Sequence, residues 1–116
     1  FDIIAVEVKP PNKSLDGQLQ SDFVKLEKEM KDIVGLLVDH RAQNPVAGGI
    51  LVKGYSASTY TLELVSDGVY WMSLLGTFDL LRFPADVSSI PKIIEHFVQL
   101  RIFMYSTILA IGEAND

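Results

Sequence analysis

The stretch IIAVEVKPP, residues 3–11, decides the fold because it predicts a strand that stops abruptly. Residues 2–9 are apolar and β-branched enough to predict a strand buried on both faces. A double proline ends it, since proline cannot donate a backbone hydrogen bond to a neighbouring strand. Side chains alternate along a strand, so Glu7 and Lys9 point to the same face. The stretch therefore predicts an opening strand with one acid and one amine on one side.

The next part of the chain predicts a long amphipathic helix. Residues 12–19 are polar and turn-rich, which predicts a loop. Over residues 21–42 the apolar side chains recur at spacings of three and four, and Ser21 or Asp22 is a suitable N-cap. The predicted buried stripe consists of Phe23, Leu26, Met30, Ile33, Val34 and Leu37.

Three short apolar runs then predict a β-meander. They cover residues 49–55, 58–65 and 69–75, and the turn residues 66–68 separate the last two. Strand, helix and strand in this order form a βαβ unit, so the first strand and residues 49–55 are expected to be parallel with a right-handed crossover. The meander extends the sheet antiparallel.

The C-terminal part predicts an irregular segment over residues 76–89 and a helix over residues 90–111. Residues 93–111 approach the length of a membrane span, but four polar side chains make this segment costly in a bilayer. These are Glu95, His96, Gln99 and Arg101. We interpret the segment as a buried helix. The predicted fold class is α/β, a mixed sheet with a βαβ start, an antiparallel meander and a C-terminal helix.

Composition fits one globular domain over residues 1–116, with 48% hydrophobic and 22% charged residues. The net charge of -5 argues against a globally basic nucleic-acid binder. Without cysteine the chain forms no disulfide and no thiolate zinc site, which favours an intracellular location without requiring it. The chain begins at Phe1 in what already resembles a strand, so we expect a fragment of a longer protein whose remainder is a partner.

The spacing of Glu7 and Lys9 is typical of one chemistry. Open α/β sheets form crevices at the carboxyl ends of their strands, where this pair lies. A carboxylate that binds Mg²⁺ and an ammonium that orients water suit phosphodiester hydrolysis. The alternative is a strand that emerges into solvent, with an exposed ion pair worth about 0 to 1 kcal/mol. The spacing alone leaves both interpretations open.

A longer pattern resembles a known family. The segments IIAVEVKPP, SDFVKLEKEMKD, VAGGILVKGY, YTLELVSDGVYWM and LLRFPAD resemble a group of fungal proteins whose core is similar to the PD-(D/E)XK nuclease superfamily. The resemblance implies a restriction-endonuclease-like core that cleaves DNA or another nucleic acid with Mg²⁺ or Mn²⁺. It also implies that Glu7 is a metal ligand, that Val8 offers its backbone carbonyl to the metal, and that Lys9 is catalytic.

The sequence departs from that family at one position. The family pattern has an Asp on a preceding strand, and the given sequence shows no such strand. Asp2 lies five positions before Glu7 and projects from the opposite face of the same strand. One carboxylate and one carbonyl make a poor Mg²⁺ site, so we expect weak metal binding and slow or absent turnover. Either the Asp belongs to upstream sequence of a longer protein, which would then be a Mg²⁺-dependent nuclease, or the fold is a non-catalytic relative. The alternative function is therefore a binding or assembly module that uses the apolar final helix or an open sheet edge.

Other polar residues have simpler interpretations. Lys25 and Lys28 could contact nucleic acid, but helical geometry places them opposite the apolar stripe, which favours solvation. Glu27 falls at the edge of the stripe. The adjacent pairs at residues 39–40 and 95–96 each combine an acid with a histidine, and adjacent helical side chains diverge by about 100°, so neither pair is expected to bind a metal.

Overall fold

The structure is a computed structural model that describes residues 3–9, 16–40, 44–80, 84–105 and 107. Its elements are β1 (Ile4–Lys9), α1 (Asp16–Asp39), β2 (Val46–Lys53), β3 (Ser56–Ser66), β4 (Val69–Asp79), a 3₁₀ helix (Pro84–Ser89) and α2 (Ile90–Phe103). This order of strands and helices confirms the predicted α/β class.

The four strands form one mixed sheet in the order β1-β2-β3-β4. β1 runs parallel to β2, with Glu7 opposite Leu51 and Lys9 opposite Lys53. β2, β3 and β4 pair antiparallel. Glycines with positive φ allow both tight turns of the meander, Gly54 at 60° and Gly68 at 73°. The predicted parallel start and antiparallel meander are therefore confirmed.

Helix α1 covers one face of the sheet and forms the main core. Five of the six residues of its predicted stripe are buried, and Phe23 is half-buried. Leu26, Met30, Val34 and Leu37 are completely inaccessible. The sheet approaches the helix most closely at Gly49, where an added Cβ would lie 2.5 Å from the Met30 sulfur. Small strand residues therefore let α1 pack directly on the backbone of β2.

Helix α2 lies on the opposite face of the sheet. An added Cβ at Gly48 would meet the Met104 sulfur at 2.5 Å, just beyond the C-terminal end of α2. Towards the other end of the helix, the His96 ring stacks on Phe78 of β4 with centroids 4.7 Å apart. The Val46 backbone N–H donates to Thr107 Oγ1 at 2.7 Å, which fixes the chain beyond α2 to the start of β2.

Two burial predictions differ from the structure. α2 packs chiefly against β3 and β4, and it leaves the same face of β1 uncovered. The prediction that β1 is buried on both faces therefore fails, because Ile4, Val6 and Val8 are 41%, 51% and 62% exposed. The interpretation of residues 93–111 as a buried helix fails within α2, where only Leu100 is buried, whereas Met104 and Thr107 beyond its end are buried. No helix in the described ranges is long and apolar enough to cross a membrane.

Element boundaries also differ from the prediction. α1 begins at Asp16, so the predicted loop is partly helical and neither Ser21 nor Asp22 is the N-cap. Leu19 lies four residues before Phe23 and extends the helical spacing, which accounts for the earlier start. β4 continues into the segment predicted to be irregular, to Asp79. The predicted end of the last helix, residues 108–111, lies outside the described residues.

Gly76 provides a test of the contact between α2 and the sheet. A Cβ there would lie 2.7 Å from His96 Nδ1, and stacking on Phe78 restricts the ring. We expect Gly76→Ala to lower the free energy of unfolding by about 1 to 3 kcal/mol through overpacking. Denaturant titration measures this change. Gly35→Ala is the control, because nothing lies within 4 Å of its new methyl and alanine favours the helix by about 0.5 to 1 kcal/mol. Equal stability of both variants would contradict the contact.

Candidate functional site

Glu7 and Lys9 point from β1 towards α1, as the alternation rule predicts. Ala5 and Lys9 are buried and Glu7 is half-buried, whereas Val6 and Val8 are exposed on the other face. Lys9 is only 5% exposed. The alternative interpretation, an exposed ion pair of Glu7 and Lys9 on a strand that emerges into solvent, is therefore wrong for Lys9. This side chain lies between β1 and α1.

The second acid of the site is Glu29 on α1, which sequence reasoning missed. Its side chain is hydrogen-bonded to Glu7, and this bond, together with a partial loss of hydration at an otherwise exposed side chain and the charge of Glu7, raises the pKa of Glu29 from 4.5 to about 7. Lys25 lowers the pKa of Glu29, and Asp32 raises it further. Below its pKa of about 7, a protonated Glu29 therefore donates to a side-chain oxygen of Glu7, and the two acids share a proton.

A signal for Glu29 was present in the helical spacing. It lies three residues after Leu26 and four before Ile33, so it flanks the buried stripe on one side. Glu27 flanks the other side, where it forms an ion pair with Lys31 at 2.8 Å. The prediction that Glu27 lies at the edge of the stripe is confirmed. What the sequence could not show is which flank of α1 faces β1.

The shared proton predicts a measurable pH dependence of stability. The pKa of Glu29 is higher in the folded protein, so its stabilising contribution is complete below the unfolded value of 4.5 and is lost as pH rises through about 7. We expect the wild-type Tm to fall more than that of Glu29→Gln between about pH 5 and about pH 8. The difference is below about 1 kcal/mol because Glu29 is exposed and solvent screens its charge.

Thermal unfolding across this pH range measures the effect. Glu63→Gln, which neutralises an exposed acid on β3, is the matched control and should follow the wild-type curve. Identical pH curves for wild type and Glu29→Gln would show that Glu29 does not share a proton with Glu7.

The backbone carbonyl of Val8 points to the outer edge of β1. Carbonyl groups alternate along a strand, and those of Ile3 and Lys9 accept hydrogen bonds from Gly48 and Gly54 on the β2 side, at 3.0 and 2.9 Å. The Val8 carbonyl therefore faces away from β2. Among the described residues no strand pairs with that edge.

A divalent cation fits these donors only loosely. Mg²⁺ is usually held by one or two carboxylates and several waters, so Glu7, Glu29 and the Val8 carbonyl are suitable oxygen donors. The described residues contain no group of three or more His, Cys, Asp or Glu side chains that could hold a metal. The donor set therefore suits a hydrated and weakly held ion. Asp2 lies outside the described residues.

A cavity of about 350 Å³ lies at the same end of the sheet, but on the β3–β4 side. Its lining consists of Ser56, Thr77, Phe78, Asp79, Ser89, Lys92 and Ile93. The lining of this cavity includes neither Glu7 nor Lys9, because its α2 wall lies two strands away from β1.

The remaining candidates lie apart from Glu7. Lys25 and Lys28 are both exposed on α1, and of the two only Lys25 affects the pKa of Glu29. His40 Nδ1 is hydrogen-bonded to the Leu36 carbonyl at 2.8 Å, at the end of α1. His96 on α2 points towards the sheet, and its buried Nδ1 has no hydrogen-bond partner among the described residues.

Comparison of the chain with protein-family models, with curated proteins and with solved structures finds no match. The resemblance to the PD-(D/E)XK superfamily therefore stays a prediction from the sequence, and the case for a function depends on the geometry of the site.

Proposed function

We propose that this chain is a nuclease-like domain of the PD-(D/E)XK type, which hydrolyses phosphodiester bonds of nucleic acid with a divalent cation. One observation carries the proposal: Glu7 and Lys9 extend together from the carboxyl end of a parallel strand, and Glu29 on the following helix meets Glu7. A carboxylate pair beside an amine is a donor set suited to this chemistry.

Each group has a distinct role in the proposal. Glu7 and Glu29 would hold the cation through their carboxylates, and the Val8 carbonyl would add an oxygen from the strand edge. At these residues a Mg²⁺ or Mn²⁺ ion would supply polarisation of a phosphate oxygen and a lower pKa of a bound water. Lys9 orients the attacking water and stabilises the negative charge that develops on the phosphate. Its buried stem fixes the position of the ammonium group.

The cation competes with the proton that the two acids share. Glu7 and Glu29 must both be ionised to bind a cation in full, and the pKa of Glu29 is about 7. Cation binding is therefore tighter above neutral pH. This supports weak binding at neutral pH, in agreement with the small donor set.

In the proposal, nucleic acid contacts the exposed side of α1. Lys25 and Lys28 are exposed, and the charge of Lys25 acts on the carboxylate pair. In the proposal both lysines contact backbone phosphates. With a net charge of -5, binding depends on such local groups and weakens steeply with salt.

A second candidate is a non-catalytic binding or assembly module with the same fold. The burial of Lys9 favours it, because a lysine that is only 5% exposed leaves little surface for a phosphate to approach. The apolar exposed side of α2 also favours it, since large exposed apolar patches are typical of interaction sites.

A cleavage assay separates the two candidates. The protein is incubated with single- and double-stranded DNA and RNA in Mg²⁺ or Mn²⁺, and in parallel with a chelator. Cleavage that needs the cation, and that Glu7→Gln abolishes while Glu63→Gln preserves, supports the nuclease. A folded protein that cleaves none of the four substrates in either cation supports the module.

A further inference from the structure

The sheet face that carries α2 exposes an apolar surface in two parts. The first part, the helix crest, consists of Ile94, Val98 and Ile102, which lie four residues apart on the outer side of α2. They are 54%, 49% and 67% exposed. The second part, the strand strip, consists of Ile4, Val6 and Val8 on β1. None of these six side chains is charged. The four-residue spacing on the helix places the crest residues on one line, and the two-residue spacing on the strand does the same for the strip residues.

The helix crest and the strand strip lie on the same side of the molecule. Ile4 is in register with Gly48, so their Cβ directions share a face of the sheet. An added Cβ at Gly48 would meet both Met104, at the end of α2, and the Ile4 side chain. The strip is therefore the part of this face beside α2 that the helix does not cover.

The helix crest stands higher above the sheet than the strand strip, by about the thickness of one helix. A helix packed on a sheet stands about 10 Å above it, so the crest is raised and the strip is recessed. A second copy rotated by 180° can place its crest in the recess of the first copy, while the first crest enters the recess of the second. The two crest-to-strip contacts of the dimer are then identical, as two-fold symmetry requires.

We propose that this surface is the interface of a symmetric homodimer, in which the helix crest of each copy packs on the strand strip of the other. The two α2 helices then lie side by side between two sheets. Exposed polar side chains flank the crest, Glu95 on one side and Arg101 on the other, and they form the rim.

The available area supports a second copy as the occupant. The six side chains and Tyr105, which is 55% exposed, together expose on the order of 600 Å². A stable interface of standard size buries roughly 800 Å² on each partner. The surface therefore supplies most of the area of a standard dimer interface.

Paired charge substitutions test the arrangement. Light scattering after gel filtration should give the wild type twice the 12.9 kDa of one chain. Val98→Glu and Val6→Lys each bury an unpaired charge at both symmetric contacts, so we expect each to raise the dimer Kd about 100-fold. Both positions are half-exposed, so the monomer should stay folded, which circular dichroism checks.

Mixing the two variants gives the sharpest result. A mixed dimer has one contact in which the new carboxylate of Val98→Glu faces the new ammonium group of Val6→Lys, and one wild-type contact, so dimers should form again. Leu36→Glu is the matched control, since Leu36 is 48% exposed on α1 at the other side of the sheet, and it should remain dimeric. A monomeric wild type would overturn the proposal. So would a dimer that survives both substitutions, or a mixture that stays monomeric.

Discussion

Replacing Leu26 by alanine is expected to lower the free energy of unfolding by about 3 kcal/mol, within the range of roughly 2 to 5 kcal/mol for buried leucines. Leu26 is completely buried at the centre of the α1 stripe. Its Cδ1 lies 3.4 Å from the position of an added Cβ at Gly49, so the side chain packs directly on β2. Alanine leaves a cavity between helix and sheet that the rigid strand backbone cannot fill.

Denaturant unfolding measures the loss. Val24→Ala is the matched control on the same helix, because Val24 is 47% exposed and its truncation should change stability by less than about 0.5 kcal/mol. If Leu26→Ala were as mild as Val24→Ala, α1 would not pack on β2 as the structure describes.

The layer that Leu26 stabilises also positions the candidate site. Glu29 follows Leu26 by three residues on α1, and it reaches Glu7 only because the stripe fixes the height of the helix over β1. Loss of packing at Leu26 should therefore also weaken the pH dependence that Glu29 gives to stability.

Local periodicity explains what the sequence could predict. Spacings of three and four identified the buried side of α1, and alternation placed Glu7 and Lys9 together, because both rules depend only on the geometry of one element. Whether another layer covers an element is a property of the whole fold. Val6 and Val8 have the same pattern whether or not a helix covers them, so the outer face of β1 was predicted wrongly.

The same limit explains the incomplete site. Sequence spacing identified Glu7, but it could not select Glu29 over Glu27, since the two flank opposite sides of one stripe. That choice depends on how α1 crosses the sheet. The roles of Glu7, Val8 and Lys9 in chemistry stay predictions, because placement alone does not test them.

Lys9→Met is expected to reduce cation-dependent cleavage by roughly 100- to 1,000-fold, the usual cost of removing one group that stabilises charge in the transition state. Methionine keeps most of the buried apolar stem and removes the ammonium group, so the variant separates charge from packing better than alanine does. The cleavage rate is measured at saturating Mn²⁺, together with the Tm of each variant. A loss of rate without a loss of cation binding is expected if Lys9 acts on the water or the phosphate.

Lys53→Met is the matched control, because Lys53 pairs in register with Lys9 on the next strand but is exposed. It removes the same charge from the same end of the sheet without changing the buried layer. Cleavage should therefore be lost in Lys9→Met and kept in Lys53→Met. Equal loss in both variants would indicate that only general positive charge matters, and full activity in Lys9→Met would remove Lys9 from the mechanism. A cleaving enzyme with a dispensable Lys9 would place the chemistry away from β1, since the proposed mechanism there depends on a buried amine beside the two acids.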